Sequence, residues 1–407
     1  MKKTYQMLVV LFLLSGLLLN ACKVSQDVVD VATEEPRIYP IVQEPTAQEA
    51  TEELSPHEVQ VEYAQGFTIE YFETYKVLTV LQPWLGASET FSYILVPKGG
   101  SAPEETNGAL VVNVPIESIV TMSTTYFPFL ESLGKLDTLV GVDDVTYAYN
   151  ETVRAMAENG ELVITGGGAG GGTANVEALI ELSPDVIMTS ASGTPELDAH
   201  PKLIEAGLPV VLNGDYLENS PLGRAEWGKF IAAFYNQEAE AETQFNEMVS
   251  RYNALVELTA NVPEKPSVFT NTDFQGSWYV PAGQSYAAIL LQDAGANYLW
   301  ADEAGTGSIP FSFEAVVEKA SEADYWLNVG FASDLDSLLM MDERYQGFKA
   351  FETGQVYNYN KRVTDNGGMD YYESGVANPD KILADLVAIF HPELMPEHDF
   401  YYYTQLK

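Results

Sequence analysis

The hydrophobic pattern of this chain changes character several times along its length. An apolar run from Leu8 to Leu19, preceded by Lys2 and Lys3, gives way after Cys22 to a polar stretch rich in Glu, Thr, Gln, Ala and Pro that lasts to about residue 56. From Val61 apolar and polar positions alternate, as in Phe67, Ile69, Tyr71 and again in Phe91, Tyr93, Leu95. A period of two predicts strands, and no helical pattern accompanies them before residue 124, so a small β-rich extension is expected over 57–110. Beyond it, short apolar runs (Ile119–Met122, Leu139–Val142, Val186–Met188, Val210–Leu212) alternate with helical patterns that stop at Gly134 and Gly207. Such alternation predicts a parallel sheet flanked by helices, an N-terminal lobe over 111–221. Trp227, Phe230, Ile231 and Phe234, then Phe245, Val249 and Tyr252, recur at helical spacing without an intervening Pro. They predict one long helix over 222–260. A second α/β series, from Ser267 to a last helix at Pro379–Phe390, predicts a C-terminal lobe over 261–400. The expected fold class is α/β: two Rossmann-like lobes joined by one long α-helix, with a small β-rich N-terminal extension.

The first 22 residues read as an export signal: a basic start, an apolar core of about a dozen residues and a small residue before the cut. The run is shorter than the roughly 20 apolar residues of a spanning helix. Leu19, Asn20, Ala21 and Cys22 resemble the bacterial lipoprotein signal, in which the cysteine is lipidated and becomes the first residue. Cys22 is the chain's single cysteine, so its use as a lipid anchor leaves no thiol for disulfides or metal sites. Residues 23–56 have the composition of a disordered acidic tether, able to reach on the order of 100 Å when extended. The folded body is expected outside the cytoplasm, held to the cell membrane by lipid.

Charge narrows the partners. Acidic residues outnumber basic ones 59 to 20, for a formal net charge of −39, and a chain so poor in Lys and Arg lacks the footprint that nucleic acid requires. The four histidines, His57, His200, His391 and His398, show no metal-ligand spacing. Neither a resident metal nor a cofactor is expected.

Candidate chemistry is sparse. Gly166, Gly168 and Gly171 satisfy the G-x-G-x-x-G pattern of dinucleotide sites, with Asp185 downstream. But six glycines in seven residues match many such patterns by chance, and the run reads better as a close-approach loop at the carboxyl end of a strand. There is no G-x-S-x-G elbow for an α/β-hydrolase, and abundant carboxylates make any glycosidase pair uninformative. A non-enzymatic binding function is expected, with a surface carbohydrate-active enzyme or a glycan-binding lipoprotein as the rival. Aromatic residues at loop positions suit a bulky ligand held by stacking. Tyr126, Tyr147, Trp278, Tyr279 and Tyr371 are the candidates, joined by Arg224 at the inter-lobe seam, whose guanidinium can grip an anionic group in bidentate fashion.

Several segments, in order, resemble the iron-complex and cobalamin binding proteins of ABC importers. They are Ile119–Ser123 leading to Leu130–Gly134 and Val140–Val142; Asn175, Val176, Glu177 through Leu182, Ser183, Pro184, Asp185, Val186, Ile187; Asp293–Asn297; and Phe311, Ser312, Phe313, Glu314 through Ala323, Asp324. The resemblance spans roughly residues 111–395. It implies an extracytoplasmic receptor that binds an iron chelate, siderophore-like, or alternatively a corrinoid, between two lobes, and delivers it to an ABC permease. In that family a glutamate on each lobe docks onto permease arginines, and these fall on Glu177 and Glu314. A monomer is expected.

Overall fold

The computed structural model describes residues 58–167 and 174–407. The signal segment, Cys22, the tether and most of the glycine run lie outside the described residues.

The extension is a four-stranded sheet of β1 (Phe67–Tyr71), β2 (Lys76–Val80), β3 (Phe91–Pro97) and β4 (Leu110–Val114). The first three form an antiparallel meander and β4 joins β3 in parallel, so the sheet runs past residue 110. The N-terminal lobe follows with β5 (Ile119–Thr121), α1 (Phe127–Ser132), β6 (Leu139–Val142), α2 (Glu151–Glu158), β7 (Val163–Ile164), α3 (Val176–Leu182), β8 (Val186–Thr189), α4 (His200–Glu205) and β9 (Val210–Leu212). Its strands lie in the order β7-β6-β5-β8-β9, all parallel. Every residue of β5, β8 and β9 is buried, as expected for parallel strands covered on both faces.

Two helices link the lobes, α5 (Pro221–Ala233) and α6 (Glu238–Thr259). The single helix expected over 222–260 is thereby corrected. The chain leaves α5 at Phe234, Asn236 adopts a left-handed φ of 55°, and α6 starts anew. Asparagine is among the few residues that take this conformation readily, so it breaks a pattern in which no Gly or Pro announces a stop.

The C-terminal lobe comprises β10 (Ser267–Thr270), β11 (Asp273–Phe274), β12 (Ser277–Pro281), α7 (Tyr286–Asp293), β13 (Asn297–Tyr298), β14 (Ser308–Phe311), α8 (Phe313–Ala320), β15 (Tyr325–Leu327), α9 (Leu335–Met341), α10 (Lys349–Glu352), β16 (Val356–Asn358), α11 (Asp370–Glu373), α12 (Pro379–Phe390) and β17 (Thr404–Gln405). Its main sheet runs β13-β10-β15-β16-β17, parallel but for β17, and β11, β12 and β14 form a small antiparallel sheet beside it. In each lobe the chain first builds to one side of its leading strand, β5 or β10, and later to the other. That reversal opens a crevice at the strands' carboxyl ends, where open α/β sheets place their ligands.

The extension is fastened to α5. Trp227 is fully buried between Phe67 and Phe230, with ring centroids at 4.7 and 5.0 Å. Before β1, a strap of extended chain is held by two carboxylates. Glu226 accepts the backbone N–H groups of Glu62, Tyr63 and Ala64, and Glu218 those of Gln65 and Gly66. Glu226 is 0% exposed and its charge is met by Lys229 at 2.8 Å, which also donates to the carbonyl of Gln60. The early residues of α5, Leu222 and Ala225, pack into the C-terminal core, while Trp227 to Ala233 pack into the N-terminal one. One helix thus belongs to both hydrophobic cores and carries the strap as well.

Candidate functional site

The loops past the carboxyl ends of the two sheets define the candidate site. Six Phe and Tyr side chains are exposed among the described residues, and five of them stand on these loops: Tyr147 after β6, Tyr216 after β9, Phe274 after β10, Phe331 after β15 and Tyr372 after β16. Exposed aromatics scattered over a surface would need no explanation, but these five all follow strands at the carboxyl ends of the two main sheets.

Beneath the rim, the N-terminal lobe supplies a polar floor. Tyr126, in the turn after β5, is 1% exposed, and its hydroxyl has no hydrogen-bond partner among the described residues. Burial holds its ionisation well above the ordinary range, reinforced by the nearby carboxylates of Asp215 and Asp143. Asp143 directly follows β6 and Asp215 follows β9. Burial pushes each of their carboxyls up to about 6, and at Asp215 the Arg224 guanidinium and a hydrogen bond with Thr125 oppose the rise.

Arg224, half-buried in the first turn of α5, joins this floor to the opposite wall. Its Nη2 donates to the carbonyls of Tyr216 (2.9 Å) and Glu218 (3.3 Å), and its guanidinium lies 4.4 Å from the ring of Tyr286 in the C-terminal lobe. Tyr371 continues that wall, stacked on Tyr359 at 4.7 Å and 20° and meeting Tyr402 and Tyr403 edge-on. Tyr286 and the Arg224 guanidinium are among the groups that set its ionisation, which burial raises. Tyr126, Arg224 and Tyr371 are thus linked through Asp215 and Tyr286, with Tyr126 and Asp215 buried beneath the half-buried Arg224, Tyr286 and Tyr371.

Of the remaining sequence candidates, Tyr147 stands on the rim. Trp278 does not face the crevice, which corrects the expectation. It is 0% exposed, donates from Nε1 to the carbonyl of Thr270 at 2.8 Å and packs against Phe269, Trp326 and Phe348. Its neighbour Tyr279 lies on the other face of β12, half-buried, with its carbonyl accepting from Asn271 Nδ2. The period-two burial of β12, inward at Trp278 and Val280, is the signal that separates them. Sequence reasoning missed Asp143, Asp215 and Glu373 altogether.

Glu373 ties the lobes together across the site. Its carboxylate accepts the backbone N–H groups of Tyr149 (2.8 Å) and Asn150 (2.7 Å), at the start of α2. Arg362, paired with Asp370 at 2.6 Å, lies over the Tyr149 ring as well. Burial lifts the Glu373 carboxyl to about 7, partly offset by the two backbone donors.

Glu177 and Glu314 occupy equivalent positions on the two lobes. Each is exposed in the first turn of a helix, α3 or α8, that is capped by a side chain, Asn175 on Ala178 N–H and Ser312 on Ala315 N–H. Arg344 stands 4.0 Å from Glu314 but is itself committed to Asp342 at 2.5 Å. Among the described residues no helix is long and apolar enough to cross a membrane.

Residues 119–363 match the family model of the periplasmic binding proteins, and the chain belongs to that family. The class is that of solute-binding proteins of ABC transporters, a class of binders rather than of enzymes. An uncharacterized lipoprotein of Methanocaldococcus jannaschii is 29% identical over 293 residues, covering 70% of this chain and 67% of its own. A second uncharacterized lipoprotein of that organism is 25% identical over 327 residues, covering 77% and 80%. Among solved structures, a possible iron-binding periplasmic protein of Staphylococcus epidermidis superposes with a TM-score of 0.52 at 18% identity, over 68% of this chain and 99% of its own. A periplasmic heme-binding protein of a Roseiflexus species gives 0.51 at 19%, over 69% and 99%. At such identities the likeness is one of fold.

Proposed function

We propose that the protein is a lipid-anchored receptor that captures an iron complex, siderophore-like, between its lobes and presents it to an ABC permease without chemical change. The observation that carries this reading is the placement of exposed Tyr147, Tyr216, Phe274, Phe331 and Tyr372 past the carboxyl ends of the strands of both lobes, in a fold of the binding-protein family. Five aromatic edges around a polar floor suit a bulky chelate, whose organic shell stacks while a few polar groups orient it. Similarly folded proteins named for iron, heme and ferric hydroxamate transport support the choice of cargo.

Delivery is assigned to Glu177 and Glu314, one on each lobe, as charge-assisted contacts to cationic side chains of a permease. Anchoring is assigned to Cys22. Equilibrium titration of the purified full chain with coloured ferric chelates, followed by quenching of tryptophan emission, tests the reading. One chelate bound per chain, released unchanged, is the expected result; turnover of a substrate, or no saturable binding, would overturn it.

A further inference from the structure

The cleft has an electrostatic polarity that the iron-complex reading leaves open. The described segments that follow the five parallel strands of the N-terminal lobe, residues 122–126, 143–150, 165–167, 174–175, 190–199 and 213–220, contain no Lys or Arg. They carry Asp143, Asp144, Glu196, Asp198, Asp215 and Glu218. Arg224 is held by two main-chain carbonyls at Nη2 and by the Tyr286 ring, while its Nε is buried without a hydrogen-bond partner among the described residues; Arg362 is paired with Asp370, and Lys361 with Asp399 at 2.6 Å. In this floor the buried Tyr126 hydroxyl, near Asp143, Asp215 and Tyr216, has no hydrogen-bond partner among the described residues. A buried polar group left alone is costly, and such groups in native proteins normally meet a partner.

We infer that the floor formed by Tyr126, Asp143 and Asp215 is a subsite for a hydrogen-bond-donating, neutral or cationic part of the ligand, an ammonium or carboxamide group, and that the cleft rejects anionic chelates. This rests on the reading of the cleft as a receptor site and narrows its cargo. Two carboxylates beside a phenol oxygen offer acceptors to N–H donors and repel catecholate or carboxylate oxygens. The described loops carry no Lys or Arg to offset the repulsion, and a catecholate gripped by Arg224 is disfavoured, because it would have to displace the carbonyls and the ring that now hold the guanidinium. A hydroxamate chelate with a pendent ammonium satisfies the floor, and so does a corrinoid edged with carboxamides.

The test compares three probes on the full chain at low ionic strength: ferrioxamine B, a hydroxamate complex with a pendent ammonium; cyanocobalamin, neutral and rich in amides; and the triply anionic ferric complex of enterobactin. Ferrioxamine B or cyanocobalamin should bind at least about tenfold more tightly than the anionic complex, one charge-assisted hydrogen bond's worth. Which of the two binds tells hydroxamate from corrinoid. Tyr126→Phe removes only the unpartnered hydroxyl, so the melting temperature should hold while affinity for the preferred probe falls about five- to tenfold. Asp143→Asn with Asp215→Asn should narrow the gap between probes. Equal or tighter binding of the enterobactin complex would overturn the inference and leave the receptor standing. Failure of all three probes to bind would overturn the receptor reading and this inference with it.

Discussion

Glu373 caps a helix to which it is not connected: its carboxylate, on the C-terminal lobe, accepts the N–H of Asn150 at the head of α2 in the N-terminal lobe. Together with the bond from Tyr149, this latch spans the crevice at its edge. Replacing Glu373 with Ala removes both acceptors and should cost about 1–3 kcal/mol. Glu373→Gln keeps one acceptor and should cost about half as much. Amide hydrogen exchange at Tyr149 and Asn150, measured beside global denaturation, checks this: faster exchange at these two sites is expected, and unchanged protection would remove the latch.

Stability should rise on mild acidification. The carboxyls of Asp143 and Asp215, each raised to about 6, and of Glu373, raised to about 7, hold protons in the folded state that the unfolded chain releases. Folding is then favoured at low pH, and this contribution is lost as pH rises through those values. Asp342, bonded to Arg344, and Asp399, bonded to Lys361, are held below the ordinary range, so their share is lost only in stronger acid. The melting temperature should therefore climb from pH 8 to about pH 5 and fall below about pH 4. A monotonic fall from pH 8 downward would contradict these assignments.

Reversing charge at Glu177 and Glu314 together should abolish uptake by cells while leaving chelate affinity within about twofold, since both side chains are exposed and away from the floor residues. A loss of affinity of similar size would place them in the binding site instead.

Breaking the strap is the severe change. Glu226→Ala leaves Lys229 buried without its partner and three backbone donors of the strap without an acceptor, a loss of about 3–5 kcal/mol by urea denaturation. A change below about 1 kcal/mol would show that Lys229 finds another acceptor.

Cys22→Ala should eliminate labelling by radioactive palmitate and release the protein from membranes. Labelling that persists would place the anchor elsewhere.

Much of the architecture was legible because burial imposes periodicity. The meander of β1 to β3 showed as alternation, and the strands of the N-terminal sheet as short apolar runs, since each is covered on both faces. The break between α5 and α6 was not, because Asn236 ends a helix by backbone conformation, and its apolar neighbours continue the helical pattern on either side. Trp278 was misread because an aromatic residue near a loop looks alike whether it faces ligand or core; the alternation of its own strand held the answer. Asp143, Asp215 and Glu373 were invisible for another reason. In a chain with 59 acidic residues, what distinguishes these three is burial, and burial at a loop is set by the packing of two lobes far apart in sequence.

The strap held by Glu218 and Glu226 decides where the body hangs. The strap, residues 60–66, is fastened by Glu226 and Lys229 to the one helix that both cores share and by Glu218 just before it, so a pull on the strap acts on the midline of the molecule. Under the proposed anchoring at Cys22, neither lobe alone would be moored to the membrane. Under the proposed delivery by Glu177 and Glu314, the load on the strap would bypass the Glu373 latch.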